Sequence, residues 1–239
     1  MLSFRFYLIT DHQNSRHKPP GVLAGLAEAG LRALQVREKT LSPAALAAYA
    51  ETLIQSLGPR RREVALYLNS QNLEGKVLTD RSATARSLGF DGLHLVGGSL
   101  PPGRRAAPSP GSPPESPPES PPESPPEFPR FGVSTHSLEE VRMAADWGAE
   151  FATFGPVFAT PSKAAYGDPV GLKAMEEAAR ELRASGSSLP LIALGGITPE
   201  RVGECLAAGA AGVAAISAVW NAEHPVQALE KFRDALGGL

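Results

Sequence analysis

A single α/β domain of the (β/α)8 TIM-barrel class is the fold that three observations predict. Eight short apolar runs alternate with longer helix-like stretches, polar residues cluster just after several of those runs, and the chain has 239 residues with 42% hydrophobic content. Alternation of this kind argues for βα units stacked around a parallel sheet. A chain of this length can bury one sizeable core, and such barrels commonly run to about 250 residues. One domain spanning residues 1–239 is therefore expected.

The predicted strands are Arg5–Thr10, Ala33–Arg37, Val64–Asn69, Gly92–Val96, Phe131–Ser134, Phe151–Phe154, Leu189–Leu194 and Gly212–Ile216. Helix starts carry their own signals. Ser137-Leu138-Glu139-Glu140 has a serine cap with glutamate three residues on, the pattern of a capping box. Leu41-Ser42-Pro43 precedes the alanine-rich stretch Ala44–Leu57, with serine as the cap and proline at the first helical position. Thr198-Pro199-Glu200 repeats the device before Arg201–Ala208.

Residues 101–129 break the pattern, because Ser-Pro-Pro-Glu occurs four times in tandem from Ser112 to Glu127. Proline removes backbone donors and favours extended polyproline conformation, and the glutamates keep the segment solvated. A disordered surface insert is expected here, in place of the fourth outer helix. A proline-recognising partner is the less economical reading of the same repeat.

The bulk features exclude several classes. The lone Cys205 cannot form an internal disulfide, so stability does not depend on an oxidising compartment. The opening MLSFRFYLIT alternates, carries Arg5 and reaches Asp11 too soon for a signal peptide, so it reads as a buried strand. No run approaches the roughly 18 apolar residues of a membrane span. A formal net charge of −2 gives no general pull toward nucleic acid or acidic membranes. The run Arg60-Arg61-Arg62 reads as a solvated loop. A cytoplasmic protein with small-molecule ligands is expected, and a homodimer is compatible with the sequence.

In a barrel of this kind the active site is built at the C-terminal ends of the strands. After the second run comes Gln35-Val36-Arg37-Glu38-Lys39, where period-two alternation points Gln35, Arg37 and Lys39 to one side. A carboxamide and two cations facing a barrel mouth suit an anionic ligand such as a diphosphate, although a strand end paired with Glu38 fits this segment equally well. The fifth run ends in Gly132-Val133-Ser134-Thr135-His136, offering hydroxyls, while His136 by itself reads as a surface or capping residue. The sixth leads into Gly155–Lys163, a loop with Pro156, Thr160, Ser162 and Lys163 that could clamp an oxyanion. The seventh and eighth ends carry Gly195-Gly196 and Ile216-Ser217, where barrel phosphate sites frequently lie.

The segments QVREK, GVSTHS, GPVFATPSK, LGGIT and AAISA occur in this order, one near each of five strand ends. The ordered set, together with Tyr7-Leu8-Ile9-Thr10-Asp11, resembles the thiamin phosphate synthase family from Tyr7 to about Trp220, outside the proline-rich insert. The resemblance implies a (β/α)8 barrel that joins an aminopyrimidine methyl diphosphate to a thiazole phosphate and releases diphosphate with a magnesium ion. Carried over position by position, Gln35, Arg37 and Lys39 resemble the pyrimidine and diphosphate binders, Lys163 a second diphosphate lysine, and Ser134 the pyrimidine-site serine. Thr160 and Ser162 match loop hydroxyls, and Gly195, Gly196, Ile216 and Ser217 match the thiazole-phosphate cradle.

Two positions depart from the family pattern. Where the third strand should end in Asn-Asp, spacing back from Asp91 gives Thr79-Asp80, with Asn69 as a second candidate for the Asn. Asp80 is the expected magnesium ligand. Ser99 stands where a second metal aspartate should follow the fourth strand, so a weakened magnesium site is expected. Retention of the cations favours a synthase. A thiazole tautomerase-like isomerase and a non-catalytic binder of thiazole phosphate or thiamin phosphate stay open, although Pro156 stands where the tautomerase's catalytic histidine falls.

Overall fold

The computed structural model describes residues 2–70, 82–83, 85–97, 130–160 and 168–238. Eight parallel strands close into a barrel in sequence order: β1 (Phe6–Ile9), β2 (Ala33–Val36), β3 (Ala65–Asn69), β4 (Gly92–Leu95), β5 (Phe131–Thr135), β6 (Phe151–Phe154), β7 (Leu191–Leu194) and β8 (Gly212–Ala215). All eight predicted runs are strands: the sixth matches its expected bounds, the fifth runs one residue further to Thr135, and the other six are trimmed by one or two residues. The expected start of the seventh at Leu189 moves to Leu191, because Pro190 has no N–H to donate.

The helices described outside the barrel are α1 (Pro19–Glu28), α2 (Pro43–Leu57), α3 (Leu138–Asp146), α4 (Gly171–Ala184), α5 (Val202–Ala207), α6 (Ser217–Trp220) and α7 (Pro225–Ala235). Ser42 caps α2 by accepting from Ala45 N at 3.3 Å, and Ser137 caps α3 by accepting from Glu140 N at 3.2 Å. The expected capping box at α3 is half made: Glu140 turns back past its own cap and accepts from the His136 N–H instead. Thr198 makes no side-chain cap, and Pro199–Arg201 forms a 3₁₀ turn before α5. The arginine run lies on a 3₁₀ turn, Gly58–Glu63. Arg61 is less free there than expected, since it pairs with Asp91 at 3.1 Å and donates to Val64 O. The expected insert at 101–129, and its consequence for the fourth outer helix, fall outside the described residues.

Strand alternation divides the apolar residues into two layers. Outward residues such as Leu8, Leu34, Leu66, Val133 and Val213 join the apolar faces of the helices in the larger core, which also takes up the free thiol of Cys205. Burial raises that thiol to about 11, so it stays protonated and acts as a small apolar side chain. Inward residues form a second cluster in the barrel, where Phe4 stacks on Tyr7 and both pack edge to face with Tyr67 and Phe151. Room for these rings comes from glycines on the neighbouring strands. A Cβ on Gly132 would lie 2.4 Å from the Phe151 ring, and one on Gly92 would lie 3.0 Å from Tyr67. Aromatic rings thus fill the lower barrel. Above them the inward positions turn polar.

Candidate active site at the C-terminal mouth of the barrel

The upper inward positions are Gln35 on β2, Asn69 on β3, His94 on β4, Ser134 on β5 and Thr153 on β6. They follow directly from the period of two: Tyr67 and Asn69, or Gly92 and His94, occupy successive inward places on one strand. Above this layer opens a cavity of about 410 Å³. Gln35, Arg37 and Lys39 line one side, and Ser134 and His136 line another. Asn69, Ile9, Val96, Leu194 and Ile216 complete it. Of the residues expected at the site, the structure therefore brings Gln35, Arg37, Lys39, Ser134 and Ile216 to one cavity.

The backbone beneath the cations is fixed by hydrogen bonds between strand ends. Arg37 N–H donates to Thr10 Oγ1 at 3.0 Å, and Thr10 N–H donates to Gln35 O at 2.9 Å, which locks the ends of β1 and β2 together. Glu38, buried, points to the opposite side and accepts from the backbone N–H of His12, at 2.9 Å to one carboxylate oxygen. This division answers the question left open by the sequence. Glu38 fastens the loop after β1, while Arg37 and Lys39 face the cavity. The Arg37 charge, together with partial burial, holds the Lys39 ammonium below the usual lysine range, and Asp11 offsets part of this. Two neighbouring cations that destabilise each other make a site that an anion relieves.

Beneath the cations the polar layer is hydrogen-bonded from Asn69 round to Ser134, while the buried Thr153 Oγ1 has no partner among the described residues. Asn69 Nδ2 donates to Gln35 Oε1 at 3.1 Å, and Gln35 Nε2 donates to Tyr7 Oη at 3.3 Å. Tyr7 Oη lies 3.3 Å from His94 Nδ1, and His94 Nε2 lies 3.0 Å from Ser134 Oγ. Burial, with the Arg37 charge, pushes His94 down to about 3, so the imidazole is neutral. Burial raises the Tyr7 phenol, which keeps its proton.

The glycines at the seventh strand end serve a packing purpose that the sequence did not signal. Both lie at positive φ, +100° for Gly195 and +64° for Gly196. A Cβ on Gly195 would fall 2.5 Å from Pro156 Cβ, and one on Gly196 would fall 2.7 Å from Ala159 O. They let the loop after β6 lie against the loop after β7. Arg201 fastens the same contact, donating to Gly196 O at 2.6 Å while its guanidinium sits 4.5 Å from the centroid of the Phe158 ring. On the next strand end, Trp220 Nε1 donates to Ile9 O at 2.7 Å and pins the short helix α6, which begins at Ser217, onto β1.

Thr160, Gly195, Gly196 and Ser217 thus stand on the adjoining loops, beside the cavity lining rather than in it. Ser162, Lys163, Asp80 and Ser99 lie outside the described residues. The third strand ends at Asn69, inside the barrel, and Thr79, the other candidate for the family's Asn position, lies outside the described residues. Among the described residues no group of three or more His, Cys, Asp or Glu side chains is gathered to hold a metal. No helix among them is long and apolar enough to cross a membrane.

Sequence reasoning passed over His94, Tyr7 and His136. Alternation within Gly92–Val96 would have placed His94 inward. His136 required the structure: its Nδ1 approaches the Gly155 carbonyl of the next strand end, and that contact turns a residue beside a helix start into part of the cavity wall.

A closed parallel barrel whose C-terminal mouth carries paired cations over a buried polar floor defines a class of enzyme that handles anionic small molecules. A thiamine monophosphate synthase family model (TMP-TENI) matches residues 129–219. Thiamine-phosphate synthase from Chlorobium luteolum is 35% identical over 222 residues, covering 92% of this chain and 87% of the relative. The enzyme of the same name from Methanoculleus marisnigri is 33% identical over 238 residues, covering 98% and 96%. Among solved structures, thiamine phosphate pyrophosphorylase from Pyrococcus furiosus superposes with a TM-score of 0.69 at 25% identity, covering 98% of this chain and 95% of that one. A 3-hexulose-6-phosphate synthase, at 14% identity and a TM-score of 0.62, shares the fold alone. The chain belongs to the thiamine-phosphate synthase family.

Proposed function

We propose that the protein is a transferase of thiamin biosynthesis that couples an aminopyrimidine methyl diphosphate to a thiazole phosphate and releases diphosphate. The observation that carries this reading is the placement of Arg37 and Lys39 together in one cavity with Gln35 and Ser134. In the reaction the bond from the pyrimidine methylene carbon to the diphosphate oxygen breaks, and the thiazole nitrogen supplies the electron pair for the new C–N bond. Charge builds on the leaving oxygen, so cations fixed beside it lower the barrier. Arg37 and Lys39 bind the diphosphate, with Lys163 from the loop after β6 as a third cation. Gln35 and Ser134 orient the pyrimidine. The strand ends at Gly195, Gly196, Ile216 and Ser217 receive the thiazole phosphate, with the hydroxyls of Thr160 and Ser162 as further ligands.

Magnesium belongs to the same proposal. Asp80 is the residue that would hold the ion, and a single carboxylate can serve because magnesium keeps several waters. When bound it would neutralise the leaving diphosphate. The test is direct: purified protein given both substrates and magnesium should release diphosphate and form thiamin phosphate. Absence of product with both substrates saturating overturns the reading.

A second reading, a thiazole tautomerase-like isomerase, draws support from His136, whose ring reaches the Gly155 carbonyl beside Pro156 and faces the cavity. A proton-transfer assay on the thiazole phosphate alone, run beside the coupling assay, separates the two.

A further inference from the structure

From Asn69 to Ser134 the floor of the cavity is one continuous line of hydrogen-bonding side chains: Asn69, Gln35, Tyr7, His94, Ser134. Its inner members, Tyr7 and His94, are buried beneath the cavity, so neither can exchange a partner in the line for cavity water. The inner members have few protons to distribute. A phenol has one O–H, and a neutral imidazole has one N–H. When Gln35 donates to Tyr7 Oη, the Tyr7 proton goes to His94 Nδ1. The imidazole proton is then on Nε2 and points at Ser134 Oγ. Turning the Gln35 amide over would reverse every link, leaving Ser134 to donate to His94 and only to accept from a ligand.

We propose that the line has a fixed sense, running from Asn69 to Ser134, so that the Ser134 hydroxyl donates its own proton into the cavity and selects an acceptor atom on the ligand. Asn69 sets that sense at the far end by donating to Gln35 Oε1. Tyr7 and His94 lie beneath the cavity rather than on its wall, and are positioning residues that act through Ser134. The ligand group is an unprotonated ring nitrogen or a carbonyl oxygen, an acceptor for the proton that the opposite sense would spend on His94. The identity of the ring rests on the synthase reading above, whereas the sense of the line does not.

Long-range ¹H–¹⁵N NMR of the ligand-free protein decides the sense, with the His94 signals assigned by their loss in His94→Gln. The expected result is the neutral Nε2–H tautomer, with Tyr7→Phe mixing the two tautomers. A neutral Nδ1–H tautomer in the wild type overturns the proposal, and that spectrum suffices even if Tyr7→Phe fails to fold. Calorimetry then compares the aminopyrimidine methyl diphosphate with its carbocyclic analogue, in which the ring nitrogens are C–H. The analogue should bind about tenfold more weakly to the wild type, and the gap should close in Ser134→Ala. Equal binding of both compounds by the wild type overturns the acceptor assignment. Failure of either compound to bind, with His94 still Nε2–H, overturns the synthase reading and leaves the line's sense standing.

Discussion

The backbone N–H of Arg37 donates to Oγ1 of Thr10 at 3.0 Å, so a hydroxyl from the first strand places the cation of the second. Arg37→Ala and Lys39→Ala should each weaken the diphosphate-bearing substrate by about 1.5–3 kcal/mol, the worth of a hydrogen bond to a charged group. The thiazole phosphate should be nearly unaffected. Thr10→Val, which keeps the shape and removes the acceptor, should give a smaller loss for the same ligand. Calorimetry with the two ligands separately checks all three, and equal losses for both ligands would contradict the division of the cavity.

His94 should make stability pH-dependent in one direction. Its folded value of about 3 lies below the ordinary histidine value, so the unfolded chain takes up a proton that the folded chain refuses. The contribution is complete above about pH 6.5 and is lost as pH falls toward the folded value, by about 2 kcal/mol between pH 7.5 and 5. Urea unfolding at those two pH values should show this loss in the wild type and a correspondingly smaller one in His94→Gln. Parallel curves for the two proteins would mean that His94 is not held neutral.

Most of this architecture could be read from the chain before folding, for a definite reason. Strand alternation is a local property, so the eight runs and the inward direction of Gln35, Arg37 and Ser134 were visible in it. What was not visible depends on neighbours far apart in sequence. Gly195 and Gly196 look like phosphate-loop glycines, and nothing local shows that their absent side chains are also required by Pro156 and Ala159. Glu38 looks like a partner for Arg37, yet it is taken by a backbone group of His12. His136 joins the cavity only because β6 ends beside β5.

The packing role of Gly195 predicts a contrast between two substitutions. Gly195→Ala puts a Cβ 2.5 Å from Pro156 Cβ at φ +100°, whereas Gly186→Ala places one in open space at φ +73°. Gly186→Ala should cost about 1–2 kcal/mol, from backbone conformation alone. Gly195→Ala should cost more, because the loop after β6 must also move, and it should weaken thiazole phosphate binding. Thermal unfolding of the two variants checks the order.

The four Ser-Pro-Pro-Glu repeats should be dispensable for stability. β4 and β5 pair directly, with Leu93 opposite Phe131 and Leu95 opposite Val133, so the barrel closes through residues on either side of them. Deleting Ser112–Glu127 should shift the melting temperature little and leave ligand affinity unchanged. A large fall would mean that the deleted stretch packs on the barrel.

That same direct pairing puts the repeat at the arithmetic middle of the fold. Four strands precede it and four follow, and the two sets meet along only two seams, β1 with β8 and β4 with β5. A single cut among the prolines would leave two chains of equal strand number, each an open curved sheet with both edges matched by the other. The cations at Arg37 and Lys39 belong to one half and Ser134 to the other, so the cavity exists only across the join. Expressed separately, the two halves would form a split enzyme: silent apart, and restored by whatever brings them together.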